Sequence, residues 1–414
     1  MQDGESPRSV LRTRCVVAGG GPAGMVLGFL LARAGVDVVV LEKHADFFRD
    51  FRGDTIHPST LQVMHELGLL DEFLKLPHQK VARMSVQVGD ARLTLADFAH
   101  VPTRCKYIAL MPQWDFLNFL AAHGKKYRGF DLRMKAEATD LIEEAGRVVG
   151  LGADTADGPL EIRADLVVGA DGRHSTMREK AGFVSDDQGA PMDVLWFRLP
   201  RESTDNTETL GHIETGRMMI MLDRGDYWQC AYVIAKGGFD AIKAEGLRSF
   251  QQRVVAMSPF LADRMAQLAS WDDVKLLSVA VDRLRQWWRP GLICIGDAAH
   301  AMSPIGGVGV NLAVQDAVAA ANRLAEPLRS GRLTEADLAA IQRRRTMPVR
   351  ATQRAQIAIQ NRLISPMLRG DQKIAAPSWL KLLDVFPILR AIPAYLVGVG
   401  VRPEHVAIPE APAP

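Results

Sequence analysis

One stretch near the start constrains this chain more than any other. Arg14-Cys15-Val16-Val17-Ala18 reads as a short buried strand, Gly19-Gly20-Gly21-Pro22-Ala23-Gly24 follows at once, and Met25 to Ala34 is helix-forming. Strand, glycine-rich turn and helix in that order open a parallel α/β sheet. In such a turn Gly19 permits the tight bend, Gly21 lets the backbone approach a pyrophosphate, and Gly24 lets helix and strand pack closely. Pro22 and Ala23 begin a helix whose N–H groups face the phosphates. A second strand, Asp37-Val38-Val39-Val40-Leu41, ends at Glu42-Lys43, and Glu42 lies eighteen residues past Gly24 (42 − 24). A carboxylate at that spacing accepts both ribose hydroxyls of an adenosine and repels a 2′-phosphate. The fingerprint predicts dinucleotide binding and leaves the choice between FAD and NAD open.

Composition removes several alternatives. Lys and Arg number 50 against 48 Asp and Glu, for a net charge of +2, which points to neither nucleic acid nor an anionic membrane. Cys15, Cys105, Cys230 and Cys294 stand far apart without a CxxC pair, so a metal site or disulfide framework is not expected, and the thiols read as reduced. The uncharged run Cys15 to Ala32 resembles a signal peptide in hydropathy alone. Gly19-Gly20-Gly21-Pro22 would break it in the middle, so no secretory segment or membrane span is predicted and the location expected is the cytoplasm.

Two later stretches repeat the design of a buried strand running into a polar turn. The first is Asp165-Leu166-Val167-Val168-Gly169-Ala170-Asp171-Gly172-Arg173-His174-Ser175-Thr176-Met177-Arg178. Its reading is open between a β-α junction, with Ser175 as helix cap and Asp171 bracing the turn, and a ligand contact. The second runs from Gly291 through Ile293, Cys294 and Ile295 to Gly296-Asp297-Ala298-Ala299-His300. Pro304, Gly306, Gly307, Gly309, Val310 and Asn311 follow, then the helical run Leu312 to Ala325. Asp297 at a strand end suits a sugar or ribityl hydroxyl, and bare N–H groups at a helix start suit an electron-rich ring edge.

Together these stretches resemble the FAD-dependent aromatic hydroxylase family, single-component flavoprotein monooxygenases similar to p-hydroxybenzoate hydroxylase. The matches are Gly19-x-Gly21-x-x-Gly24 with Glu42, Asp171-Gly172-x-x-Ser175-x-x-Arg178, and Gly296-Asp297-Ala298-Ala299-His300 with Pro304, Gly307, Gly309, Asn311, Ala313 and Asp316. The resemblance implies FAD as cofactor, with Lys43, Arg178, Val310 and the residues above around it. Arg52 and Gln113 are further cofactor positions by resemblance, Arg52 being equally readable as a solvated charge. NADH or NADPH would reduce the flavin, and O2 would add at its C4a position. The resulting hydroperoxide would hydroxylate a phenolic or polycyclic aromatic substrate. A reductase, dehydrogenase or halogenase-like enzyme of the same fold, and a flavin-free binding protein, are the rival readings.

The implied fold is α/β (α+β overall): a Rossmann-like FAD-binding domain with an interleaved mixed β-sheet substrate domain and a helical C-terminal tail. The domain limits are 10–75, 112–182 and 282–365 for FAD, 76–111 and 183–281 for substrate, and 366–414 for the tail. Val81 to Thr94, Asp193 to Leu199, Met218 to Leu222 and Tyr227 to Ile234 read as strands of the substrate sheet. His212, Met219, Met221, Tyr227, Trp228 and Tyr232 are its pocket candidates, and each reads equally well as core. A helical pattern covers Val349 to Ser365, between Pro348 and Pro366. The apolar tail Trp379 to Val401 is open between packing on its own domain and meeting a membrane or partner, and the chain is expected as a monomer or homodimer.

Overall fold

The computed structural model describes residues 9–48, 55–89, 91–205, 210–370, 383 and 385–412. Its central sheet runs in the order Trp288–Arg289, Leu292–Cys294, Gly158–Gly169, Ser9–Ala18, Val38–Glu42 and Phe130–Met134. Every neighbouring pair is parallel except the first. Two antiparallel strands, Ala136–Glu144 and Arg147–Thr155, extend from the first half of Gly158–Gly169.

Strand alternation explains why Cys15 to Ala18 is apolar throughout. Cys15 and Val17 face a helical layer with Val38, Val40, Leu166 and Val168, while Val16 and Ala18 face the antiparallel extension with Val39, Leu151 and Ile162. A strand covered on both sides has no position for a polar residue. The helix Pro22–Arg33, with Pro at its first turn, buries every residue from Ala23 to Ala32. It packs between the helices Gln113–Gly124 and Val308–Ser330.

The second sheet is mixed, in the order Lys275–Leu277, Met192–Pro200, Tyr227–Ala235, Arg217–Asp223, Leu210–Glu214, Arg83–Val88 and Ala91–Asp97. All its pairs are antiparallel except Leu210–Glu214 with Arg83–Val88. The strands expected from sequence are present. The connecting stretch is not all strand, however: Phe239–Ala244, Leu247–Met257 and the 3-10 segment Pro259–Gln267 cover one face of the sheet. Phe250, Val254 and Met257 are buried along Leu247–Met257 at helical spacing.

Two expectations about the last third are corrected. The helix read from Val349 to Ser365 is Glu335–Ile359, begun by a Thr334/Asp337 capping box, with Pro348 inside it. Pro348 and Val349 are buried, and that packing outweighs the backbone bond the proline forfeits. A π turn, Gln360–Ile364, and the short helix Ser365–Arg369 continue it. Among its described residues the tail is helical at 366–369, 383, 385 and over Pro387–Arg390 and Ala391–Gly398, and it does not stay helical to its end. Residues 401–412 instead run as irregular chain along the first layer, with Glu404 N–H donating to Gln315, Val406 N–H to Glu66 (2.9 Å) and Ala411 N–H to the Arg33 carbonyl (2.9 Å). Among the described residues no helix is long and apolar enough to cross a membrane.

At Gly24, an added Cβ would lie 1.9 Å from the Gly19 carbonyl oxygen. Gly24→Ala is therefore expected to lose about 1–3 kcal/mol or more of stability through overpacking. A lower melting temperature of the flavin-free protein is the expected readout, and an unchanged one would contradict this packing.

Candidate functional site

Three loops leave the carboxyl ends of adjacent parallel strands. Pairing sets Ala18 beside Gly169 and Gly169 beside Cys294, so the turns after residues 18, 169 and 294 start side by side. In open α/β sheets this edge is where ligands bind.

The loops touch. Gly19 has φ +107°, and a Cβ there would meet the Ala170 carbonyl oxygen at 2.4 Å; Gly296 approaches Ala23 and Ala313. Gly21 behaves differently: its φ is −73°, and an added Cβ would meet nothing within 4 Å. Neither backbone nor packing requires glycine there. What it leaves is open space before an uncapped helix N-terminus, the form of a pyrophosphate cradle. Gly309, in the first turn of Val308–Ser330, opens onto similar space. Glu42 is buried beside Gly20, its Oε1 accepting from the His44 N–H at 3.0 Å. These features fit a bound FAD.

The middle loop is braced by its own side chains. The Asp171 carboxylate accepts from the Ser175 hydroxyl and from the Met177 N–H (3.1 Å), and Ser175 caps Arg178 N–H at 3.0 Å. Burial pushes the Asp171 carboxyl up, against those hydrogen bonds. The Arg178 guanidinium donates to the Arg173 carbonyl at 2.6 Å and pairs with Asp282 at 3.3 Å. Asp171 and Arg178 thus hold the turn, which Gly172 passes at φ +86°. Arg173, unmarked in the sequence reading, crosses to Asp297 at 3.2 Å and ties the second loop to the third.

In the third loop Pro304 and Val310 are half-buried, and Thr55 Oγ1 donates to the Gly307 carbonyl at 3.1 Å. Asn311 Oδ1 accepts from Ser59 at 2.6 Å and Thr60 at 2.9 Å. Beneath the loop Asp316 is fully buried. It takes the Gly296 N–H at 3.1 Å, His300 Nε2 at 2.6 Å and Arg345 Nε at 2.8 Å. Burial alone would raise its carboxyl, but His300 and Arg345 together hold it below its ordinary value. His300 is therefore a packing residue against Trp287, ring centroids 5.0 Å apart.

Other positions are less central. Gln113 opens the helix Gln113–Gly124 and is half-buried; Lys43 is exposed and pairs with Glu137 at 3.4 Å. Arg52 lies outside the described residues.

The pocket candidates are corrected by strand parity. His212, Met219 and Tyr232 are register partners across three strands, as are Met221 and Cys230. Met219, Met221, Trp228 and Tyr232 are buried under Leu247–Met257, Tyr232 edge-on to Phe250 at 5.4 Å. Trp228 Nε1 donates to Asp205 at 2.8 Å. His212 shares their face, 3.9 Å from Glu214. Only Tyr227 has the opposite parity, at the sheet end under the Arg198 guanidinium. The opposite face carries Val194, Trp196, Met218, Ile220, Ala231 and Val233; Met218 and Val233 cluster with Ile305 of the third loop. That face meets the third loop at Ile305, and Ile364 and Met367 pack against it beside Met218 and Val233. The sequence held no signal for this choice, because alternation marks two faces without saying which one is covered.

His57, also unmarked, starts the helix Pro58–Glu66 and donates from Nδ1 to the Val397 carbonyl at 2.8 Å. It clips the helix Ala391–Gly398 onto the Gly307 loop, helped by Ser59 at 3.1 Å from the Gly398 carbonyl.

Residues 12–355 match the FAD binding domain family. The chain is 32% identical over 388 residues to 6-methylpretetramide 4-monooxygenase of Streptomyces rimosus, covering 93% of this chain and 92% of that protein. It is 30% identical over 313 residues to a rifampicin monooxygenase of Streptomyces venezuelae, covering 73% of this chain but only 62% of that protein. The solved structure of PqsL, a probable FAD-dependent monooxygenase from Pseudomonas aeruginosa, shares the fold: TM-score 0.72, 21% identity, 87% of this chain and 99% of that one. Flavin-dependent halogenases share the fold at 18–19% identity. The chain belongs to the FAD-dependent aromatic hydroxylase family and is an FAD-dependent monooxygenase.

Burial lowers the His57 imidazole to about 4, against the hydrogen bond to Val397. The folded state holds it neutral, so its contribution is complete above the unfolded value near 6.5 and is lost as pH falls from there towards 4. Urea unfolding of the flavin-free protein should show about 3 kcal/mol of this loss, missing in His57→Asn, whose amide still donates to Val397. Identical pH slopes in the two proteins would contradict this assignment.

Proposed function

We propose that this enzyme hydroxylates an electron-rich, fused-ring phenolic compound, using O2 and NADH or NADPH. The observation that carries the reading is the apolar sheet face of Trp196, Met218 and Ile220, against which Ile305 of the loop Pro304–Asn311 packs beside Met218. A wide apolar wall suits a polycyclic ring system, and its similarity to a 6-methylpretetramide monooxygenase supports that class. At the end of this face beyond Leu222, Arg224 Nε donates to the buried Gln229 Oε1 at 3.0 Å, a polar pair for orienting a substrate oxygen. Monomer or homodimer, it works in the cytoplasm; its four buried, free thiols suit a reducing compartment.

Bound FAD supplies two-electron chemistry with the nicotinamide and with O2. The chain's part is to place and shield it. Gly21 and the N–H groups behind it take the diphosphate, Glu42 the adenosine ribose, and Asp297, oriented by Arg173, the ribityl chain. The helix start at Gly309 would set positive potential beside the bound ring. Trp196, Met218 and Ile220 keep water out, which protects the reaction from wasteful release of hydrogen peroxide.

Fused-ring phenols should stimulate O2 uptake and emerge one oxygen heavier by mass spectrometry. Nicotinamide oxidation without substrate-dependent uptake would point to a reductase instead. Asp297→Ala should bind FAD about tenfold to a hundredfold more weakly, through a lost charge-assisted hydrogen bond. Unchanged flavin content would remove Asp297 from the cofactor set.

A further inference from the structure

Fourteen large hydrophobic side chains stay exposed among the described residues, and six of them fall between positions 385 and 396. Val385 and Phe386 precede the 3-10 turn Pro387–Arg390, which runs directly into the helix Ala391–Gly398. Ile388, Ile392, Tyr395 and Leu396 follow at i, i+4, i+7 and i+8, the spacing of one helical stripe. The other side of the same element is occupied. Ala394 clusters with Phe98 and Ile108, and an added Cβ at Gly398 would meet Phe98 at 2.8 Å. The bonds from His57 and Ser59 to the Val397 and Gly398 carbonyls fix which side is inward. The stripe therefore faces out, with Ile388 64%, Ile392 59% and Leu396 50% exposed. Single exposed apolar residues are ordinary, but such a concentration marks a contact surface.

We propose that the stripe Val385–Leu396 docks the enzyme on an anionic lipid surface, lying in the interface without spanning it. The whole chain is close to neutral, at +2, so the charge that matters is local. No Asp or Glu occurs from Val385 to Pro403, whereas Arg390 and Arg402 do. Arg402 is exposed, and so is Lys106, whose Nζ donates to the carbonyl of Val101 in the cluster that holds Ala394 and Val399. The carboxylates of the flanking segments are already paired, Asp97 with Arg83 at 2.9 Å and Glu404 with Arg344 at 2.7 Å. An apolar stripe bordered by positive charge complements anionic headgroups over an acyl layer. Phe386 and Tyr395 are aromatic side chains suited to that boundary. From Pro387 to Gly398 the element rises about 18 Å, against about 30 Å for a bilayer core, so it lies flat. A second copy fits less well. Six side chains at this exposure offer on the order of 500 Å2, short of the roughly 800 Å2 per partner of a stable interface. A two-fold contact would also set the same basic border against itself with no carboxylate to answer it. Docking would bring the loop Pro304–Asn311, held by the inner side of this helix, within one helix diameter, about 10 Å, of the lipid. It does not depend on which aromatic compound the enzyme oxidises.

The test uses the FAD-loaded chain, the triple variant I388S/I392S/L396S, and sedimentation with vesicles of phosphatidylcholine alone or mixed with phosphatidylglycerol. Wild type should bind the mixed vesicles at least about tenfold more tightly than the neutral ones, and added salt should weaken that binding. The triple variant should bind the mixed vesicles at least about tenfold more weakly than wild type. Its flavin content and melting temperature should stay near wild type, since the three side chains are exposed. If the triple variant loses its flavin, the single variant Ile388→Ser carries the test, with an expected loss of about threefold or more. Serine in place of Val10 or Leu276, exposed elsewhere, should leave binding as it is. Wild type left in the supernatant with both kinds of vesicle, or variants that bind like wild type, would overturn the proposal. So would a wild-type mass that rises with concentration while the triple variant stays monomeric, since the stripe would then serve a second copy.

Discussion

A single backbone oxygen sets the geometry of the cleft. The Gly19 carbonyl occupies the space where any residue but glycine at position 24 would place its Cβ. The first helix can therefore begin directly above the end of the first strand, with its uncapped N-terminus at the sheet's carboxyl edge. Because Ala18, Gly169 and Cys294 are register neighbours, the other two loops emerge beside that helix end. The cleft is thus a consequence of parallel register plus one tight turn, and the side chains refine a position the backbone has already chosen.

Electrostatics then lock the loops. Arg173 to Asp297 spans 124 positions of sequence and joins the second loop to the third. Asp316 fastens the third loop from below to His300 and Arg345, and Arg345 reaches Glu404 in the tail at 3.3 Å. A buried carboxylate that accepts from a guanidinium, an imidazole and a backbone N–H has its oxygens satisfied, and removing Arg345 would leave it without its guanidinium partner in the interior. His57 and Ser59 bring the helix Ala391–Gly398 onto the same loop. The tail is in this way part of the cleft's support.

What the sequence made legible was local. Each strand-turn-helix junction stands within a dozen residues, so the tight turn at Gly19 and the close packing at Gly24 could be read from order and spacing. The substrate strands were legible by alternation, but their covered face was not, since His212, Met219 and Tyr232 alternate just as Met218 and Ile220 do. Parity is fixed by the helix Leu247–Met257, whose own signal, Phe250, Val254 and Met257 at helical spacing, was present and overshadowed by the strands before it. Pro348 misled because a proline usually bounds a helix, whereas here buried neighbours sustain one through it. Arg173, His57 and Arg345 act through contacts between residues far apart in sequence, which no local pattern encodes.

Nothing in the protein fills the space before Gly21, which leaves it open for the cofactor's diphosphate. Gly21→Val tests this, since its backbone angles suit an ordinary residue and its Cβ would touch no neighbour. The most direct measurement is a fluorescence titration of the flavin-free variant with FAD, beside its thermal unfolding. The expected result is a melting temperature close to that of the flavin-free wild type together with a loss of FAD affinity of about a hundredfold or more. A variant that binds FAD like the wild type would contradict it.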